Sequence, residues 1–268
     1  MLLKDRIGVD VGKTRLEDAI KWAIDNQFFF LDFNADTGSN HMETWTPDRA
    51  REIRTMCESN GISIGLHTLS AVNVAEFSPY VSRAADEYMR ASVNLANQLG
   101  CLWTVVHAGY HFTSDVKERK KASLDRLIQT CKFAADTGQR ILLENLNFEP
   151  DKAEVHYLAH TVEETQEYLD AIPVEHLGWA FTANHAHLVP DGVDGFIDAF
   201  GTDRIGEVRL ADNSGDYEIH LIPGEGTLDF MNLFRRLEEA GYKGHYTMAY
   251  GSDIERIQSR NVLAQILS

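Results

Sequence analysis

The chain has 268 residues, 44% of them hydrophobic and 25% charged, which suits one soluble domain with a sizeable core. A formal net charge of −16 argues against nucleic acid as a partner, because that field repels phosphate backbones. No apolar run approaches the roughly 20 residues that span a bilayer, so no membrane partner is expected.

The N-terminal stretch MLLKDRIGVDVG lacks the long apolar region of a secretory signal and runs straight into a strand. Cys57, Cys101 and Cys131 form no ligand-spaced pattern. So few thiols, in odd number, fit a reducing compartment and a cytoplasmic location. The basic run KERKK at 117–121 reads as a solvated helix face.

Strand-like segments occur at 7–12, 28–34, 62–69, 101–108, 140–147, 177–183, 205–212 and 245–251. Several are near-continuous apolar runs, as expected of strands covered on both faces. Helical patterns separate them. One apolar stripe comprises Val81, Ala84, Tyr88, Leu95 and Leu99, and another Leu124, Leu127, Ile128, Cys131 and Ala135. Thr46-Pro47 signals a helix start, and Thr161 with Glu164 fits a capping box. Gly61, Gly100, Gly138 and Gly241 fit helix ends. Eight strand–helix units without a linker predict a single (β/α)8 TIM barrel over residues 1–268. An open doubly wound sheet is the alternative, weakened by the absence of GxGxxG after the first strand.

In a parallel barrel the C-terminal strand ends converge on one face, where chemistry is built. His67, His107, Glu144, His185 and His220 all sit just past apolar runs. Glu144 ends ILLE, where a carboxylate needs a cation, an arginine or a histidine to stay ionised. His67, His107 and Glu144 form a two-histidine, one-carboxylate set suited to a divalent cation. Arg209 offers a bidentate fork for an anion, or a buried counter-ion for Glu144 or Asp212. His187 is expected to point elsewhere. The glycine turn 224–226 after His220 is a candidate anion- or hydroxyl-binding loop. Asp32 and Asn34 end the second strand and join the candidate lining. Trp103 and Trp179 read as core.

These residues carry a resemblance. The stretches GLH (65–67), VVHAG (105–109), LLENLN (142–147), GWAFTANHAHL (178–188), VRLADN (208–213) and HLIPGEGTLDF (220–230) occur one per strand, in order. In that order the chain resembles the xylose isomerase-like TIM-barrel superfamily, which includes sugar epimerases and endonuclease IV. The resemblance implies a divalent cation (Mn, Zn or Mg) held by four side chains in the epimerases. Glu144 fills the first of those positions, but Thr182, Arg209 and Ala249 stand at the other three. It therefore implies either a shifted cation at His67, His107 and Glu144, as in endonuclease IV, or no cation, with Arg209 as a fixed positive charge. The endonuclease likeness also places His185 and His220, with Glu218, as loop-side ligands.

The expectation is a sugar or keto-sugar isomerase or epimerase acting by proton abstraction beside a carbonyl. Glu144 would be base or metal ligand, His185 and His107 acid–base partners, and Arg209 an electrophilic clamp. His67, His220, Asp212, Asp32 and Asn34 would bind a small sugar-like substrate. A related dehydratase, and a barrel without activity that binds a sugar or another subunit, are the alternatives. A homo-oligomer is compatible with all three.

Overall fold

The short β-branched and aromatic runs do form eight parallel strands in the computed structural model, which describes residues 2–267. They are β1 (Ile7–Asp10), β2 (Phe30–Asn34), β3 (Ser63–His67), β4 (Thr104–Val106), β6 (Ile141–Glu144), β8 (Leu177–Thr182), β9 (Ile205–Leu210) and β10 (His245–Met248). Each pairs with its neighbour, and β1 closes the barrel on β10 through Ile7 opposite Tyr246. The remaining two, β5 (Tyr110–Phe112) and β7 (Val155–Tyr157), leave the barrel and pair antiparallel beside its C-terminal mouth. The predicted strands are all present, trimmed where their ends bend into loops.

The helices are α1 (Leu3–Arg6), α2 (Leu16–Asn26), α3 (Pro47–Asn60), α4 (Pro79–Leu99), α5 (Val116–Thr137), α6 (Val162–Ala171), α7 (Ala183–Ala186), α8 (Gly192–Phe200), α9 (Phe230–Glu239) and α10 (Asp253–Leu263). Side chains alternate along each strand. Leu31, Phe33, Ile64, Leu66, Phe181, Val208 and Leu210 join the core shared with the helices, while Phe30, Trp103, Val105, Leu142 and Ala180 form a separate inner cluster. That cluster fits because strand glycines make room for it. A Cβ on Gly206 would lie 2.5 Å from Leu142 Cδ1.

Thr46 caps α3 by accepting from Arg49 N–H at 3.2 Å, and Thr161 caps α6 through Glu164 N–H. The reciprocal half of the predicted Thr161 box is not formed, because Glu164 reaches Ala159 N–H instead. The full capping box is at α10, between Ser252 and Glu255. The α4 stripe is also corrected. Val81 and Ala84 face solvent, while Leu95 and Leu99 are buried as expected and Ala85, Met89, Val93 and Ala96 join them on the buried face. In α5, Ala134 is buried and Ala135 exposed. Nor is KERKK wholly solvated: Arg119 is buried, with its guanidinium over the Phe77 and Phe112 rings.

Candidate active site

Each barrel strand delivers one side chain to the rim of a cavity of about 300 Å³ at the C-terminal mouth. Around the barrel these are Asp10, Asn34, His67, His107, Glu144, Thr182, Arg209 and Ala249, at or beside their strand ends. His185 from α7, Glu218 and His220 from the loop after β9, and Tyr157 from β7 complete the wall. Two further clefts, of about 430 and 640 Å³, lie against α4 on the outside of the barrel. Neither gathers a set of buried ionisable groups, so the mouth is where chemistry is concentrated.

Three potential ligand atoms converge. His67 Nε2 lies 3.0 Å from His107 Nε2 and 3.3 Å from Glu144 Oε2, and the last two are 3.0 Å apart. The other oxygen of Glu144 accepts from Thr182 Oγ1 at 2.5 Å and lies 3.7 Å from Arg209 Nε. Burial opposes ionisation of Glu144. Its contacts with His107 and His67, and the charges of His67 and Arg209, outweigh that and hold the carboxyl well below its usual range. For His67, burial and Arg209 lower the pKa, yet Asp32 and Glu144 win and push it up to about 10. Burial pulls His107 the opposite way, below its ordinary value.

The histidines share a pattern. His185 Nδ1 donates to Asn145 O at 2.8 Å, and His220 Nδ1 to Ala249 O at 2.5 Å. Thr68 Oγ1 donates to Val105 O, so its lone pair receives the Nδ1–H of His107 at 3.3 Å. His67 Nδ1 faces Asp32 Oδ2 at 3.1 Å. All four rings are thus anchored through Nδ1 and present Nε2 to the cavity, the arrangement typical of metal-ligating histidine. A second group forms from His185, Glu218 and His220, with both Nε2 atoms on Glu218 Oε1 at 3.3 and 2.8 Å. Burial would raise the Glu218 carboxyl, but the two histidines bring it down to about 2.

Arg209 occupies the centre of the charge network. Its guanidinium bonds to Asp32 and to Asp10 Oδ2 (2.5 Å), and lies 3.4 Å from Glu207 Oε1. It is a buried counter-ion, but of Asp10 and Asp32 rather than of Asp212, with Glu144 Oε1 farther off at 3.7 Å. Burial and Asp32 push Glu207 up to about 8.

Asp212 lies away from the mouth. Its carboxylate takes the N–H groups of Asn213, Gly224, Gly226 and Leu228 and so organises the loop behind His220. The substrate-binding expectation for Asp212 is therefore corrected, and with it that for the glycine turn, whose N–H groups are spent on Asp212 (Gly224 and Gly226) and on Ile222 O (Glu225). Asp32 is wholly buried beneath the lining, whereas Asn34 does face the cavity. His187 points away, to Thr227 Oγ1 at 2.9 Å. Trp103 and Trp179 are core. Asp10, Tyr157 and the anchoring roles of Thr68 and Asn145 went unread in the sequence. For Asp10 a signal existed, since it ends an apolar run as Glu144 does.

Residues 24–265 match the family described as xylose isomerase-like TIM barrel. The chain belongs to that family. It is 25% identical to an uncharacterised protein of Methanocaldococcus jannaschii over 95% of this chain and 94% of that one. It is also 25% identical to fructoselysine 3-epimerase of Shigella flexneri, over 63% of each chain. The crystal structure of a D-tagatose 3-epimerase-like protein superposes with a TM-score of 0.84, covering 97% of both chains at 22% identity, and shares the fold. Family and neighbours are thus of the sugar epimerase and isomerase kind.

Proposed function

We propose that the protein is an isomerase or epimerase of a keto-sugar-like substrate, working by proton transfer at the carbon beside a carbonyl, with one divalent cation at His67, His107 and Glu144. The observation that carries this is the anchoring of all four histidines through Nδ1, which leaves Nε2 aimed into one cavity. The fit to a cation is chemical. His107 with its proton on Nδ1 puts a lone pair against a carboxylate oxygen at 3.0 Å, which needs a cation or a second proton between them. The triangle edges of 3.0 to 3.3 Å also approach the roughly 3.3 Å implied by tetrahedral bonds of about 2.0 Å. A divalent cation there would polarise a substrate carbonyl.

The residues divide the remaining work. Both oxygens of Glu144 are engaged, so its role in this reading is ligand rather than base. His185 is the base: its Nδ1–H is fixed on Asn145 O, and its Nε2 lines the cavity 3.3 Å from Glu218 Oε1, which accepts the N–H formed. The Glu218 and Ala249 contacts raise the pKa of His220 against the opposing effect of burial, and with Nδ1–H on Ala249 O its single Nε2–H faces Glu218. Arg209 supplies fixed positive charge to the site rather than a free clamp. Support for a sugar comes from the family and from relatives named as sugar epimerases.

The test is solvent-deuterium exchange into a panel of keto-sugars. Wild type exchanges at the carbon beside the carbonyl, and His185→Ala and Glu218→Gln lower the rate at least a hundredfold in protein that remains folded. Absence of exchange by wild type across the panel contradicts the reading and favours a barrel that only binds.

A further inference from the structure

Asp32 is a fully buried carboxylate that the cavity does not touch. Oδ2 contacts both His67 Nδ1 (3.1 Å) and Arg209 Nη1. Among the described residues Oδ1 has no hydrogen-bond partner, and neither does the buried Trp103 Nε1. Both atoms crowd Gly65, the ladder partner of Asp32: a Cβ there would lie 2.9 Å from Oδ1 and 2.7 Å from Nε1. Only glycine at this position leaves the carboxylate where it is. Asn34, not Asp32, is level with His67 on the ladder, so the carboxylate reaches the ring from one inward layer below.

His67 faces an acceptor at each ring nitrogen, and a cation bound at Nε2 leaves the ring a single proton. Asp32 faces Nδ1, and Glu144 Oε2 faces Nε2 at 3.3 Å. A proton kept on Nε2 would bond His67 to Glu144 and close the ligand triangle on itself. A proton held on Nδ1 frees the Nε2 lone pair for the cavity.

We infer that Asp32, seated by Gly65 and Arg209, is the positioning residue that keeps the His67 proton on Nδ1 and so holds the three-ligand site open. It acts through His67 and never meets substrate.

The experiment compares wild type, Asp32→Asn and Gly65→Ala, the last keeping every charge but displacing the carboxylate. In metal-free protein labelled with ¹⁵N-histidine and titrated to a pH at which His67 is neutral, the wild-type ring keeps its remaining proton on Nδ1, and both variants shift it to Nε2. With zinc as probe, each variant raises Kd about 10- to 100-fold, and neither raises it further in a His67→Ala background. An unchanged Nδ1 signal in both variants overturns the inference, as does an equal loss of zinc affinity in the His67→Ala background. The zinc arm rests on the cation reading above, while the Nδ1 arm stands alone. Wild type that binds no zinc but keeps its Nδ1 proton defeats that reading and supports this inference.

Discussion

At the scale of single residues, the mouth of the barrel is a balance of buried charge. Arg209 offsets Asp10 and Asp32, and the remaining carboxylate, Glu207, has no cation of its own closer than 3.4 Å. Burial and Asp32 put its pKa at about 8, against 4.5 for the free group. The sign of the consequence is fixed. Below pH 4.5 both folded and unfolded chains hold the proton. Between 4.5 and about 8 the unfolded chain releases it while the folded one keeps it, so stability falls as pH rises through that window. Glu207→Gln removes this cost, on the order of a few kcal/mol. Melting temperatures of metal-free protein across pH 4.5 to 8 should therefore decline less in the variant than in wild type. Parallel curves would show that Glu207 ionises freely in the fold.

What the sequence disclosed at this scale follows the reach of each residue's partners. Glu144, His67 and His107 were legible because each ends an apolar run, and strand ends converge whatever the loops do. The role of Arg209 was only half legible. Its acidic partners lie 199 and 177 residues earlier in the chain, on the strands that close the barrel. Asp212 misled because its sequence position past a strand end matches that of a site residue. Only the path of the loop 224–228 shows that its carboxylate is occupied by backbone N–H groups.

At the scale of elements, helix starts and strand cores were readable because their signals are local. Thr46 before Pro47 is such a signal, and the cap it forms should contribute about 1 kcal/mol. Thr46→Ala should lower unfolding free energy by that amount in denaturant titration, with unchanged m-value and unchanged catalytic behaviour, since α3 lies outside the cavity wall. An unaltered midpoint would mean the Arg49 N–H is satisfied equally well by water. The β5–β7 pair was not readable. YHF and VHY are three-residue strands without an apolar run, and they meet only because the loops after β4 and β6 stand side by side. Their pairing matters to the site, since it delivers Tyr157 to the cavity wall, packed edge-on against Tyr110.

At the scale of the whole molecule, the closed barrel turns eight strand ends scattered over the chain into one ring. The ring sits on the family's barrel framework. Thr182 and Arg209 are wired to Glu144, and Ala249 contributes only its carbonyl, to His220. No helix among the described residues is long and apolar enough to cross a membrane. The claim on which the rest depends is that His67, His107 and Glu144 hold a divalent cation. Elemental analysis of purified wild type and His107→Ala tests it most directly. About one divalent ion per chain in wild type, lost in a folded His107→Ala protein, is the result this account requires, and two per chain would add His185, Glu218 and His220 as a second ligand set. Wild type that stays metal-free after incubation with manganese, zinc and magnesium, yet still catalyses exchange, would contradict it.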